Sequence, residues 1–358
     1  MTDDHQGGLS VWVVSDGRAG IERQALSLAL ALENLSSDPG EQDVPTRALH
    51  GTIWRRTILR LQPEGWRVLL PPNLWPAPLR ALPAAQKSRL IPPWPDLWIG
   101  SGRRSIPYSR LMRRWSEGQT FVVQTQDPRV PSADFDLIIP PEHDRMPRAD
   151  NVFPILGAPT VFSSVDVKEA QSRFGALRSG SGLKLLVSLG GNSKTHAMTP
   201  ARASEIETAL RQISKDGATL WITVSRRTPE AARQRFRALA VDVGAIFWEN
   251  EQRDGPNPYL AFLTLCDAAL VTEDSANMIG DPAYFGKPVH LLRLDGRSDR
   301  FDRLHEGFIA RGAARWFSGS IEIWDYAPVR EADRAAAEIL RRLDRHRAAN
   351  TQSPRHHP

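Results

Sequence analysis

Four short stretches of this chain place reactive side chains directly after apolar, strand-like runs. In LVTEDSANM the run Ala268–Val271 gives way to two adjacent carboxylates, Glu273 and Asp274, and Ser275 then opens a helix. Ser275 or Asp274 can cap that helix, and an acid there suits the positive end of the helix dipole. Capping accounts for one carboxylate. The second fits a ribose, whose paired hydroxyls one carboxylate can accept, with a phosphate on the amides from Ser275 through Asn277 to Met278. SLGGNSKTH holds Gly190, Gly191, Asn192, Ser193 and Lys194, which suit either a tight turn or a diphosphate cradle of amides, hydroxyl and ammonium. TVSRRTPE sets Ser225, Arg226, Arg227 and Thr228 before Pro229. Thr228 is a natural cap for a helix with proline at its first position, while the two arginines could pair with carboxylates or grip a phosphate through two nitrogens each. SDGRAGIERQ supplies Asp16, Gly17, Arg18, Gly20 and Gln24; its glycines allow close backbone approach, and Asp16 suits a turn or a general base.

The elements that must carry these loops read as alternating strands and helices. In the first half VWVVS (11–15) precedes a helix with Leu26, Leu30, Ala31 and Leu35 on one face, and strand signals recur at 96–100, 121–125, 135–140 and 151–157. Between them, 54–94 is dense in proline, tryptophan and leucine, which predicts packed irregular structure with short helices and some exposed apolar surface. Residues 158–166 read as a linker. The second half predicts strands at 183–190, 219–225, 244–249, 268–272 and 288–292, with helices at 199–214, 229–239, 258–265, 275–285 and 299–311. Such alternation implies parallel sheets covered on both faces, with ligands at the carboxyl ends of strands. The fold class expected is therefore α/β, two Rossmann-like doubly wound domains facing each other across an interdomain cleft. Their bounds are 1–160 and 161–328, followed by an amphipathic helix at 329–346 and a disordered tail at 347–358.

Composition sets outer bounds. The 358 residues carry a net charge of +5, nearly all of the basic character being arginine, since only six lysines occur. The arginines are dispersed, and no RNP-type, finger or basic-helix motif accompanies them, so no nucleic-acid partner is expected. No run approaches the ~18 apolar residues of a spanning helix. The polar start MTDDHQGGLS lacks the pattern of a secretory signal, and the one cysteine, Cys266, sits in an apolar stretch, so a cytoplasmic protein is expected. No G-x-G-x-x-G fingerprint is present, which disfavours an NAD-dependent epimerase or dehydrogenase. DFD (134–136) has a D-x-D form but runs into a strand, where its side chains alternate between faces, and is taken as incidental.

Taken together, SDGRAGIERQ, QDPR with FDLIIPPEHD, GGNSK, SRRTP, NPYLAFL and TEDSANM with GKPV resemble the ELM1-like proteins, a family named after a plant mitochondrial-fission factor. The likeness spans nearly the whole chain. It implies a GT-B-type, glycosyltransferase-like protein whose C-terminal domain holds a sugar nucleotide and whose last helix crosses back to the N-terminal domain. On that basis residues 190–194 with Arg226 and Arg227 would stabilise a departing diphosphate, and Glu273 would bind ribose. Across the cleft QTQDPRVP and PPEHD would face the donor: Gln124, Asp127 and Arg129 on the acceptor side with Gly17, Arg18, Gly20 and Gln24, and His143, oriented by Asp144, or Asp16 as the base. His143 also fits an ordinary hydrogen-bonded residue, and Asp127-Pro128 an ordinary turn. The function expected is transfer of a sugar from a nucleotide-diphosphate sugar to a glycan or lipid-linked acceptor, without metal or further cofactor. The alternative is a non-catalytic binding or scaffold protein of the same fold, with 54–94 as a peripheral membrane contact.

Overall fold

The computed structural model describes residues 8–37 and 52–352. The chain divides into two compact units, one formed by 1–161 together with 331–358 and the other by 162–330.

The first unit contains β1 (Gly8–Ser15), α1 (Ala19–Ser37), β2 (Ile53–Arg60), α2 (Ala84–Lys87), β3 (Leu97–Gly100), α3 (Ile106–Trp115), β4 (Phe121–Thr125) and β5 (Leu137–Ile139). The five strands form one parallel sheet in the order β2-β1-β3-β4-β5. β3, β4 and β5 are buried throughout, as continuous apolar runs must be when helices cover both faces. Two expectations change here. The start of 54–94 is not irregular: IWRRTILR forms the edge strand β2, whose three arginines keep an open sheet edge hydrated. Residues 151–157 do not form a regular strand; only Val152 and Ile155 make isolated parallel bridges, to Ile138 and Pro141.

The second unit contains α4 (Ser164–Arg173), β6 (Lys184–Leu189), β7 (His196–Ala197), α5 (Pro200–Lys215), β8 (Thr219–Val224), α6 (Glu230–Val243), β9 (Ile246–Trp248), α7 (Glu251–Asp254), α8 (Tyr259–Leu265), β10 (Ala268–Thr272), α9 (Ala276–Tyr284), β11 (Val289–Leu292), β12 (Asp295–Gly296), α10 (Asp299–Ala310) and β13 (Ala314–Trp316). Six of its strands make a parallel sheet ordered β13-β11-β10-β6-β8-β9. The short pair β7 and β12 is antiparallel and ties the loop after β6 to the loop after β11. One core of this unit packs Leu185, Val187, Leu210, Phe236, Leu239 and Leu270 between the sheet and α5 and α6.

The final helix, α11 (Glu331–Gln352), belongs to the first unit. Its buried face presents Ala332, Ala335, Ala336, Ile339, Leu340 and Leu343, and it lies against α1 and β4. Glu331 at its start accepts the Leu156 N–H at 2.9 Å, and Arg334 donates to the Pro154 carbonyl at 2.7 Å. The helix continues to 352 because His346 and Asn350 donate to the carbonyls of Gln119 and Gly118, so 347–352 are helical rather than tail. Residues 353–358 of that expected tail lie outside the described residues.

Candidate functional site

The carboxyl ends of β6, β8 and β10 meet around one buried side chain, Asp274. Its Oδ2 lies 2.7 Å from the Arg227 guanidinium and accepts the Gly191 N–H at 3.2 Å, while Oδ1 accepts the Thr272 hydroxyl at 2.8 Å. The Asp274 side chain is 0 % exposed, so these internal partners replace its water. This assigns Asp274 to positioning Arg227 instead of to a ribose. Ser275 is the residue that caps α9, its Oγ accepting from Met278 N–H at 3.4 Å.

The same hub explains the glycine pair. A Cβ on Gly190 would fall 2.0 Å from Asp274 Oδ1, and one on Gly191 would fall 2.1 Å from the Arg227 carbonyl oxygen. The glycines are there so that two loops can touch. Their amides are spent on the same contact: Gly190 N–H donates to Thr272 Oγ1, Gly191 N–H to Asp274, Asn192 N–H to Arg227 O and Ser193 N–H to His196 O. The expectation that these four amides cradle a phosphate is not met by this geometry. Asn192 Oδ1 accepts from Met198 N–H, and Ser193 Oγ accepts from Thr195 and His196. Lys194 and Arg226 are exposed, and neither is ion-paired among the described residues.

Thr228 does not cap α6, which starts at Glu230 behind Pro229. Its hydroxyl donates instead to the Leu189 and Gly190 carbonyls and accepts from Ser225 N–H, locking the SRRT loop onto the end of β6. Adding one methyl at Gly191 therefore has nowhere to go. Gly191→Ala is expected to lower stability by about 1–3 kcal/mol, read from urea denaturation. An unchanged midpoint would mean the two loops are not in this contact.

Glu273 turns the other way. Its Oε1 accepts the Leu294 N–H at 2.6 Å, and its carbonyl accepts from His305 Nε2 at 2.8 Å. Both side chains line a cavity of about 600 Å³ with Arg293, Asp295, Asp302 and Trp316, at the ends of β10, β11 and β13. Arg293 sits 3.8 Å over the Trp316 ring. Because a carbonyl can only accept, His305 carries its proton on Nε2; burial lowers its pKa, and its buried Nδ1 has no hydrogen-bond partner. Arg227 and Glu273 thus serve two neighbouring loci, not one. Nothing in the sequence pattern singled out His305, which reads as an ordinary helix position, or Trp316, which lies beyond the expected strands, in β13.

Burial also raises the pKa of Glu273, against the opposing Leu294 hydrogen bond. An acid whose folded pKa lies above its unfolded value favours the native state while protonated, and stability declines as pH rises through the folded pKa. Glu273→Gln, which keeps the acceptor for Leu294, is expected to gain melting temperature over the parent as pH rises from about 4 to 7. A difference that shrinks over that range would contradict the burial assignment.

In the first unit Asp16 forms a local turn: Oδ1 accepts the Arg18 N–H at 3.2 Å, and Oδ2 lies 2.9 Å from the Arg18 guanidinium. Gly17 needs its freedom, with φ of 81°; a Cβ on Gly20 would meet nothing within 4 Å. His143 is buried, its Nε2 3.9 Å from Asp144 Oδ1. Gln24 accepts from Gln126 Nε2 at 3.0 Å, which joins α1 to the loop after β4. That loop lines a second cavity, about 430 Å³, with Gln124, Asp127, Arg129, Arg103 and Pro72. Asp16, His143 and Asp144 are not among its lining residues. Gln124 is held inside by Ser109 Oγ and the Thr125 carbonyl, and Asp127 Oδ1 accepts the Arg129 N–H. The two acids of DFD are paired with Arg110 and Arg113.

Two parallel α/β units, the second followed by a helix that belongs to the first, define a GT-B-type fold. Consistent with it, the solved UDP-GlcNAc 2-epimerase of Methanocaldococcus jannaschii superposes with a TM-score of 0.55 over 93 % of this chain and 99 % of that one, at 11 % identity. The chain belongs to the Mitochondrial fission ELM1 family, whose pattern matches residues 19–343. It is 27 % identical to the mitochondrial fission protein ELM1 of Arabidopsis thaliana over 279 residues, which is 70 % of this chain but only 64 % of that protein. This chain therefore aligns with just under two thirds of its plant relative. An uncharacterized protein of Rickettsia prowazekii is 24 % identical over 93 % of this chain and 98 % of its own length. Among the described residues no helix is long and apolar enough to cross a membrane.

Proposed function

We propose that this protein is a GT-B-type glycosyltransferase acting in the cytoplasm. It binds a nucleotide-diphosphate sugar at the strand ends of the second unit. It transfers the sugar to an acceptor hydroxyl on an envelope-type glycan or lipid-linked molecule. One observation carries this reading: Arg227 is fixed by a fully buried carboxylate beside the amino end of α9. The first amides of a helix have no partner within it, so that end and a pre-aimed guanidinium together attract a phosphate. As the bond from the anomeric carbon to the diphosphate oxygen breaks, negative charge grows on the leaving group. Arg227, with the exposed Arg226 and Lys194, offsets it without a metal. Glu273 and the cavity beside it accept hydroxyls of the donor, and a general base takes the acceptor proton. The Methanocaldococcus jannaschii protein of the same fold is named for a nucleotide-diphosphate sugar, UDP-GlcNAc.

The test is thermal shift against nucleoside diphosphates and their sugars. A ligand at a hundred times its Kd stabilises by ~2.7 kcal/mol, a readily seen shift. Arg227→Ala should abolish the shift, and no response to any common nucleotide at millimolar concentration would refute the proposal. A second reading, binding without transfer, is favoured by the four committed amides of 190–193. It expects the same shift but no release of nucleoside diphosphate with any acceptor.

A further inference from the structure

The segment between β2 and β3 has two unlike sets of apolar side chains. In one, Trp75, Ala81, Leu82 and Leu90 are buried in the core of the first unit with Tyr108 and Met112. Hydrogen bonds brace it: Trp75 Nε1 and an Arg103 nitrogen both donate to the Leu70 carbonyl at 3.0 Å, and Arg67 Nε donates to the Pro76 carbonyl at 2.9 Å. This is a fixed plate, not a loose loop. Elsewhere in it four large apolar side chains meet solvent, Trp66 at 56 %, Leu69 at 82 %, Leu74 at 58 % and Ile91 at 59 % exposure. Trp66 and Leu69 open and close one 3-10 turn, whose three-residue period sets them on the same side. A core that is already complete has no use for these groups.

Charge says what covers them. Residues 52–94 contain seven arginines and lysines and one acid, Glu64. Arg56 and Arg60 are paired with Glu33 and Glu22. Arg55, Arg67, Arg80, Lys87 and Arg89 have no ion-pair partner among the described residues, and Arg67 lies 4.9 Å over the Trp66 ring. Protruding tryptophan and leucine in a segment of cations without ion-pair partners, with Arg67 stacked on Trp66, is the chemistry of the bilayer interface: apolar tips enter the headgroup layer, and guanidinium groups stay at the phosphates.

We propose that the first unit docks on an anionic lipid bilayer through Trp66, Leu69 and Leu74. Pro71, Pro72 and Asn73, which link Leu69 to Leu74, also wall the 430 Å³ cavity, so docking sets that cavity against the headgroup layer. Arg103 and Arg129 line it, and Arg129 has no ion-pair partner among the described residues. They fit a headgroup phosphate. Docking stands without the transferase reading; where both hold, the acceptor is drawn from the bilayer.

The test is co-sedimentation of the full chain with phosphatidylcholine vesicles, with and without phosphatidylglycerol. At low ionic strength the protein should pellet with the anionic vesicles at least tenfold better than with the neutral ones, and salt should weaken the binding. Leu69→Glu/Leu74→Glu should lose at least tenfold with an unchanged melting temperature. Val165→Glu/Val241→Glu, the same charge change at exposed positions of the other unit, should bind like the parent. The proposal is overturned by no preference for anionic vesicles, by normal binding of the Leu69/Leu74 variant, or by equal loss in the control. Nucleotide thermal shifts run on the same variants are independent of it: their absence sinks the transferase reading and leaves docking intact.

Discussion

Asp274→Ala is expected to destabilise the protein by about 3 kcal/mol, among the largest effects of any single polar substitution in the second unit. The carboxylate is the common acceptor for Gly191 N–H and the Thr272 hydroxyl, and both donors are buried. Removing it leaves each without a partner, at about 1–3 kcal/mol apiece. Arg227 is 41 % exposed and can turn to water, so the loss of its ion pair adds little. Urea denaturation measures the difference directly. Asp274→Asn, which keeps the size and one acceptor, should recover part of the stability but not the orientation of Arg227. A loss below ~1 kcal/mol for the alanine variant would show that the hub does not hold the loops together.

Arg227→Lys should cost transfer far more than it costs the fold. Lysine keeps the charge but not the planar fork that meets Asp274 and a phosphate together. If Arg227 meets charge that develops on the leaving diphosphate, kcat should fall by about a hundredfold, as when one preorganised donor is removed from a transition state. KM should change much less. Release of nucleoside diphosphate from the donor selected by thermal shift is the readout. Equal losses in kcat/KM and donor affinity, with kcat unchanged, would instead make Arg227 a simple binding residue, as the non-catalytic reading requires.

Much of the architecture was legible because parallel strands leave a loud pattern. LKLLVSLG and AALVT are mostly apolar and form strands buried along their whole length, since both faces of their sheet are covered, and the helices between them repeat at the expected length. β2 was missed because IWRRTILR is an edge strand, and its exposed arginines break the apolar run that marks a central one. The chemistry was less legible than the loops that bear it. Gly-Gly, Thr-Pro and Glu-Asp could be located as unusual, but their roles depend on what stands opposite. Thr228 was expected to cap a helix and instead ties two strand ends. Asp274 and Glu273 are neighbours in sequence that point to different places, a distinction that needs the positions of Arg227 and Leu294. His305 and Trp316 left no signal, because a buried histidine on an amphipathic helix and an aromatic in a short edge strand look like core.

The helix that closes the first unit is also the last regular element among the described residues. During synthesis the ribosome delivers β1 to β5 and α1 first, then the entire second unit, and only then the alanine-rich face that covers α1. The early half must wait with an apolar flank uncovered while the later half folds by itself. A nascent chain arrested near residue 330 should therefore present one finished body and one that still recruits holding chaperones, the reverse of the usual order in which the amino-terminal body matures first.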